Sequence, residues 1–124
     1  MGANPTFTVP DSVLWRLLFM RATLVTDATV ANRVILFFLS DNGGFTAQIG
    51  RSGFAVTASQ TVDVQATAGV GLLGIQELGL RIAWGPFSDL TFLNAGYVCN
   101  FQAEGLQAAD QWSAIRIFAE QWSA

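Results

Sequence analysis

Residues 33–49 read RVILFFLSDNGGFTAQI and predict a β-hairpin. Residues 33–40 form an almost continuous apolar run, which is typical of a buried strand. The sequence DNGG at residues 41–44 is a turn signal, because Asn and Gly tolerate the positive φ of a tight hairpin. We therefore expect residues 45–49 to return antiparallel to residues 34–40.

The segments on either side of this hairpin also predict strands. Residues 12–26 are rich in bulky apolar side chains. A helix capped at Asp11 or Ser12 is an alternative there, but the β-branched residues near the end of the segment favour a strand. A loop is expected at residues 26–32. Residues 62–68 alternate apolar and polar side chains and predict a strand with one solvated face. Further strands are expected at residues 51–58, 80–84 and 97–102.

The C-terminal residues 107–122 are compatible with either a helix or a strand. Trp112, Ile115, Phe118 and Trp122 fall at helical spacing. A strand would instead place Trp112, Phe118 and Trp122 on one face and Ile115 and Ile117 on the other. Periodicity alone leaves both alternatives open.

Taken together, these segments predict an all-β fold. With about eight short strands, we expect a single jelly-roll-like antiparallel β-sandwich. Residues 1–10 are expected to form an extended N-terminal arm, bracketed by Pro5 and Pro10, and residues 11–124 the domain.

The charge composition excludes several classes of function. The 124 residues include six Arg, nine Asp plus Glu, one Cys and neither Lys nor His. Without His there is no imidazole base for a nucleophile and no His metal ligand, and one Cys cannot form a thiolate zinc site or an intrachain disulfide. Without Lys, neither a Schiff base nor the usual phosphate-binding loop is available. We expect no enzymatic activity, no metal and no cofactor.

The charge distribution also bears on partners. The net charge is −3 and the Arg residues are dispersed, so neither nucleic acid nor an anionic membrane surface is an expected partner. The longest uncharged stretch, residues 90–103, is interrupted by Asn and Gln, and no transmembrane segment is expected. The N-terminus shows no secretion signal.

Two predicted strands, residues 13–25 and 34–39, are apolar on both faces. In a two-sheet sandwich only one face of each sheet meets the core. A second apolar face is explained by a constitutive oligomer or a permanent partner, the alternative being one well-filled core. The candidate residues for an interface with another copy or with a partner are Phe7, Val9, Trp15, Leu17, Phe19, Ile35, Phe37, Leu39, Trp112 and Trp122.

One glycine-rich motif needs separate consideration. Residues 69–74, GVGLLG, fit the spacing G-x-G-x-x-G, but Gly79 and Gly85 interrupt the helix that a dinucleotide site requires. We interpret the motif as a flexible loop.

The carboxylates and the thiol also have structural interpretations. Cys99 is expected on the apolar face of a strand as a buried structural thiol. A carboxylate pair for glycoside cleavage is chemically conceivable. However, five carboxylates lie beside turn or cap positions, where they are expected to bind local backbone amides: Asp11, Asp27, Asp41, Asp89 and Asp110.

Two parts of the chain resemble small virion proteins of tailed bacteriophages. One part is VPDSVLWRLL at residues 9–18 followed by LVTDATVANRV at residues 24–34, and the other is QAADQWSAIRI at residues 107–117 continuing to EQW at residues 120–122. The resemblance is to compact jelly-roll or β-sandwich chains, among them capsid decoration (cement) proteins. It implies that residues 112–122 form a strand near the long first strand, and that the role is structural, without catalytic residues.

We therefore expect a bacteriophage capsid decoration protein. It would be made in the host cytoplasm, bind the major capsid protein on the outer surface of the virion as a homotrimer, and stabilise the shell. Its acidic charge suits the outside of a particle better than its DNA-facing interior. Residues 3–9 could add a strand to the exposed edge of a neighbour.

Two other functions remain as alternatives. The first is a glycan-binding module of a phage tail or fibre, in which Trp84 and Trp122 would stack on sugar rings. The second is a small carboxylate-dependent enzyme.

Overall fold

The computed structural model of the chain consists of β-strands joined by loops, and the residues it describes contain no helix. It describes residues 4–41, 43–53, 55–68, 76–78, 81–87 and 92–123, with the backbone alone at residues 49, 68, 76–78, 81 and 83–87. Within these ranges lie β1 (Thr6–Thr8), β2 (Val13–Val25), β3 (Val34–Ser40), β4 (Thr46–Arg51), β5 (Thr61–Ala68), β6 (Gln76–Leu78), β7 (Arg81–Phe87), β8 (Phe92–Leu93), β9 (Val98–Glu104) and β10 (Gln111–Ser123).

The strands form two sheets. The first sheet has the order β1-β9-β3-β4, and the second has the order β10-β2-β5-β7-β6, with the short β8 also paired to β2. All neighbouring strands are antiparallel except β5 and β7, which are parallel. The hairpin predicted around residues 41–44 is confirmed by the pairing of β3 with β4.

The two sheets enclose one hydrophobic core. Buried side chains from both sheets belong to a single cluster. In β5 the alternation predicted from the sequence is confirmed, since Val62, Val64 and Ala66 are fully buried. The fold is therefore an all-β sandwich, as predicted. The main contributors from the other strands are Leu17, Met20, Ala22 and Leu24 of β2, Ile35 and Phe37 of β3, and Cys99 and Phe101 of β9.

Two local expectations need correction. Residues 51–58 do not form a strand, because β4 ends at Arg51 and Val56 makes only an isolated bridge to Arg33. Instead, Ser52 forms two hydrogen bonds with Ile35 of β3. The Ser52 amide donates to the Ile35 carbonyl, and Ser52 Oγ accepts a bond from the Ile35 amide. The chain also has ten strands in its described part, where about eight were expected.

Much of the predicted N-terminal arm belongs to the sandwich. Residues 6–8 form β1 and pair with β9, and Val9 is 1% exposed. The Val9 amide donates to the carbonyl of Tyr97. Residues 6–9 are thus paired within their own chain, and the addition of residues 3–9 to the edge of a neighbour stays a prediction.

A buried ion pair joins the loop after β2 to the loop before β10. Arg33 and Asp110 are both fully buried. The Arg33 guanidinium donates from Nε to Asp110 Oδ2 at 2.9 Å and from Nη2 to Oδ1 at 3.0 Å. Arg33 Nη2 also donates to Asp27 Oδ1 at 3.0 Å. This bidentate geometry is the strongest that an arginine and a carboxylate can form.

Backbone groups complete this network. The Asp110 carboxylate accepts the amides of Asp27 and Gln107, each at 2.8 Å. Burial alone would raise the pKa of Asp110, but the hydrogen bonds from Arg33, Gln107 and Asp27 outweigh it and lower that pKa below its ordinary value. Nearby, Gly105 has a φ of +76°, and a Cβ there would clash with the carbonyl oxygen of Asn32. The two loops are therefore in close backbone contact.

We expect Asp110→Asn to lower the free energy of unfolding by about 3–5 kcal/mol, because it leaves the charge of Arg33 buried with only Asp27 to balance it. Urea denaturation followed by tryptophan fluorescence measures this. Glu104→Gln is the matched control, since Glu104 pairs with Arg51 at 3.6 Å on the surface, where loss of the pair costs under about 1 kcal/mol. Equal losses in the two variants would contradict a structural role for the buried pair.

The stabilisation by Asp110 should also depend on pH. Because the pKa of Asp110 is lowered in the folded chain, its contribution is complete above the unfolded pKa of about 3.9 and is lost as the pH falls toward the folded value. The stability difference between the wild type and Asp110→Asn should therefore shrink below about pH 4. Urea titrations at a series of pH values between neutral and strongly acidic measure it, and a difference that stays constant would contradict the assignment.

Candidate functional site

The outer face of the second sheet is shaped by a bulge in β2. Phe118 of β10 pairs with Phe19, whereas the next residue, Ala119, pairs with Leu17. Leu18 is therefore an extra residue, and the alternation of faces reverses there. As a result, Leu17 and Met20 both face the core, and Phe19 faces outward together with Phe118.

Four aromatic side chains lie on this outer face, and we name Phe19, Phe92, Phe118 and Trp122 the aromatic patch. The rings of Phe19 and Phe118 stack with centroids 4.4 Å apart, and those of Phe92 and Trp122 lie 6.1 Å apart. Phe92, Phe118 and Trp122 are 46%, 52% and 44% exposed. The patch thus consists of two pairs of rings that leave apolar surface exposed on this face.

An ion pair crosses the aromatic patch. Arg16 of β2 lies opposite both Glu120 of β10 and Phe92 of β8. The Arg16 guanidinium donates from Nη2 to Glu120 Oε1, while its buried Nε has no hydrogen-bond partner. The charged pair therefore lies in the same cross-strand row as Phe92, between the row of Phe19 and Phe118 and the row of Trp122.

Two arginines lie side by side at the other end of this face. Arg21 and Arg116 are directly opposite each other on β2 and β10, and both are exposed. They line a shallow cavity of about 140 Å³ together with Thr23 and Ala114. Within the described part of the chain, neither arginine forms an ion pair. Like charges directly opposite each other are destabilising, so the pair is suited to an added carboxylate.

A largely apolar groove of about 260 Å³ opens at one end of the sandwich. It is lined in part by Phe45 after the β3–β4 turn, by Tyr97 before β9 and by Phe92. Phe45 is 70% exposed. Because Phe92 borders both features, the groove extends the apolar surface of the aromatic patch.

Most of the predicted interface residues are core residues in the structure, which corrects their assignment. Only Phe19 and Trp122 lie on the outer face of the second sheet. The sequence could not show which apolar face of β2 or β3 would meet the core, or that the bulge at Leu18 reverses the alternation. Val9, Leu17, Ile35, Phe37 and Trp112 are buried in the core, and Phe7, Trp15 and Leu39 pack against it.

Sequence reasoning missed two members of the aromatic patch as interface candidates. Phe118 and Trp122 lie on the same face of their strand. If residues 107–122 are taken as a strand, the alternation of side chains identifies Phe118 as a neighbour of Trp122 on that face. Phe92 carried no such signal, because its place in the patch depends on the pairing of the two-residue β8 with β2.

Three of the carboxylates that the structure describes accept hydrogen bonds from backbone amides. Asp27 Oδ1 accepts the Thr29 amide at 3.0 Å, and Asp41 Oδ1 accepts the amides of Gly43 and Phe45 at 2.8 and 2.9 Å. These bonds, with those of Asp110, confirm the predicted local role of three of the five residues. In the described ranges no group of three His, Cys, Asp or Glu could hold a metal ion.

Some predicted features lie outside the described residues. The glycine motif at residues 69–74 and Asp89 are among them, and Trp84 is described by its backbone alone. In the part that is described, no helix is long and apolar enough to cross a membrane.

Comparison with known protein families, with curated proteins and with solved structures finds no match for this chain.

The thiol of Cys99 should not react in the folded protein. Cys99 is fully buried in the core, and burial raises its pKa to about 12. We expect no labelling by a thiol reagent at pH 8 under native conditions and complete labelling in urea, measured by mass spectrometry. Val30→Cys is the positive control, because residue 30 is 94% exposed. Native labelling of Cys99 at the rate of the introduced thiol would contradict the buried assignment.

Proposed function

We propose that this chain is a non-enzymatic structural protein of a bacteriophage particle, which binds the outer surface of the capsid and stabilises the shell. The observation that carries the proposal is the aromatic patch. Large exposed apolar patches on soluble chains are typical of protein-binding sites, and aromatic residues are enriched at the centres of such interfaces.

The resemblance to phage virion proteins supports the same proposal. Two of its segments, residues 24–34 and 107–117, contain Arg33 and Asp110, the partners of the buried ion pair. The resembling residues therefore include those that join the loop after β2 to the loop before β10. The net charge of −3 favours a site on the outside of a particle, away from packaged DNA.

The proposed mechanism is thermodynamic linkage. A protein that binds the assembled shell but not its separated subunits stabilises the shell. The stabilising free energy grows with the logarithm of the ratio of the protein's free concentration to its dissociation constant. Burying each large aromatic side chain of the patch contributes roughly 1.5–3 kcal/mol to such binding. No covalent chemistry is required.

Glycan binding by a tail or fibre module is the second candidate. It is favoured by Trp122, whose ring is 44% exposed and adjacent to Phe92. Exposed indole rings can stack on the apolar faces of sugars while the indole N–H finds a polar partner. The two candidate functions assign different ligands to the same surface, a capsid protein in one and a glycan in the other.

Binding of the purified chain to capsids that lack it tests the proposal. We expect saturable co-sedimentation and a higher temperature of capsid disruption in calorimetry. The double variant Phe92→Ser/Trp122→Ser should bind at least about tenfold more weakly, because it removes two side chains from the apolar contact. Val30→Ser is the matched control, since it changes an exposed apolar residue outside the patch.

Two results would contradict the capsid proposal. One is the absence of wild-type binding to capsids, and the other is equal binding by the double variant and the control. Saturable binding to a glycan array that is lost in Trp122→Ser would support the second candidate instead.

A further inference from the structure

We propose that the free edge of β10 is a self-association site, at which β10 of a second copy pairs antiparallel about Phe118. The pairing would join the second sheets of two copies into one continuous sheet. This inference goes beyond the proposed function, since it concerns contacts between copies of the chain rather than contacts with a capsid.

The first observation is the length of the open edge. Among the described strands β10 pairs with β2 alone, so within the described part of the chain its other edge has no strand partner. β10 is 13 residues long, whereas the other edge strands, β1, β4 and β6, have 3, 6 and 3 residues. It contains no Pro, and its irregularity lies between Ser113 and Arg116, so the segment from Arg116 to Ser123 is the regular part of this edge. A regular strand edge is a template for strand addition.

The strand order gives a second argument that another strand fits there. In a complete eight-stranded jelly roll, the first strand pairs with the last, on the side away from the third. Among the described strands, the orders β10-β2-β5 and β1-β9-β3-β4 match seven of the eight jelly-roll positions. The free edge of β10 is the position that this first strand takes, so the architecture accommodates one more strand beside β10.

The alternation of faces restricts how two β10 strands can pair. From Arg116 to Ser123 the strand is regular, and residues 116, 118, 120 and 122 all face outward. When two copies are related by a twofold axis, each outward-facing residue must lie opposite an outward-facing residue of the other copy. The axis must therefore pass at one residue position, which lies opposite itself, and not between two neighbouring positions. Axes through Arg116 or Glu120 would bring like charges together.

An axis through Phe118 gives a charge-complementary pairing. It places Arg116 of one copy opposite Glu120 of the second copy, and Glu120 opposite Arg116. Directly opposed charges of opposite sign stabilise a cross-strand pair. Glu120 of the second copy then also supplies a carboxylate near Arg21, which lies opposite Arg116 within each chain.

The same axis brings apolar groups together at its centre. Phe118 of one copy lies opposite Phe118 of the other, and each ring already stacks on Phe19 at 4.4 Å. On the inner face Ile117 lies opposite Ala119 of the second copy. Charge, volume and strand direction are therefore compatible in this register. The result is a dimer, in place of the homotrimer expected from the sequence.

A charge-exchange experiment tests the register. Wild-type chain should have twice the chain mass of 13.3 kDa by size exclusion with light scattering. Arg116→Glu and Glu120→Arg should each weaken the dimer at least about tenfold, because each places like charges opposite each other twice. A mixture of the two variants should recover the dimer, since every opposed pair is then of opposite sign. Arg51→Glu and Glu104→Arg, on the first sheet, make the same charge changes and should dimerise as the wild type does.

Cross-linking provides a second readout at the axis. Residues opposite each other on antiparallel strands have Cα atoms roughly 4.5–5.5 Å apart, within the range of a disulfide. Phe118→Cys should therefore form a disulfide-linked dimer under mild oxidation, whereas Val30→Cys should not. Thermal unfolding followed by circular dichroism checks that each variant is folded.

A wild-type mass of one chain or of three chains would overturn the proposal, as would a mixture that fails to recover the dimer lost in both folded variants. Capsid binding is measured separately with Phe92→Ser/Trp122→Ser. A monomer that binds capsids would therefore refute the β10 pairing alone, and a dimer that does not bind them would refute the capsid proposal alone.

Discussion

The buried ion pair of Arg33 with Asp110 is the constraint on which the rest of the structure depends. It joins the loop that leaves β2 to the loop that enters β10, so it brings the two longest strands together at one end of their pairing. Burying two charges is costly unless they are fully hydrogen-bonded. Here the two carboxylate oxygens accept bonds from Arg33 and from two backbone amides. The aromatic patch and the free edge both exist because β10 is held against β2.

The outer face of the second sheet combines features that are unfavourable for an isolated chain. Exposed Phe118 and Trp122 leave apolar area in water, and Arg21 lies opposite Arg116 without an acid within the described ranges. Both costs are removed by a partner that covers the rings and provides a carboxylate. A second copy paired as proposed would bring Phe118 and Glu120 to those positions. The remaining rings, Phe92 and Trp122, lie farther from the proposed axis and are left for the proposed capsid contact.

The sequence was sufficient for the fold class but not for the assignment of faces. The DNGG turn located the β3–β4 hairpin, and alternation located β5, because both signals are local. Which side of β2 meets the core depends on the extra residue Leu18, and nothing in the apolar run from Val13 to Val25 marks it. The ion pair was equally hidden, because Arg33 and Asp110 are 77 positions apart, one at the start of a predicted strand and the other beside a turn or cap position. Local sequence patterns therefore predicted the strands, whereas the identity of the surface residues depends on pairing between segments that are distant in the sequence.

The irregularity of β10 explains how a long free edge can be selective. Between Ser113 and Arg116 the pairing with β2 shifts, and Ala114 has a φ of 49°. A bulge of this kind bends the strand and interrupts its hydrogen-bonding edge. Regular pairing is thereby confined to the segment from Arg116 onward, where charge and side-chain alternation favour the register about Phe118. An uninterrupted edge of 13 residues would admit many registers and invite open-ended association. The bulge therefore favours one closed pair over extended aggregates.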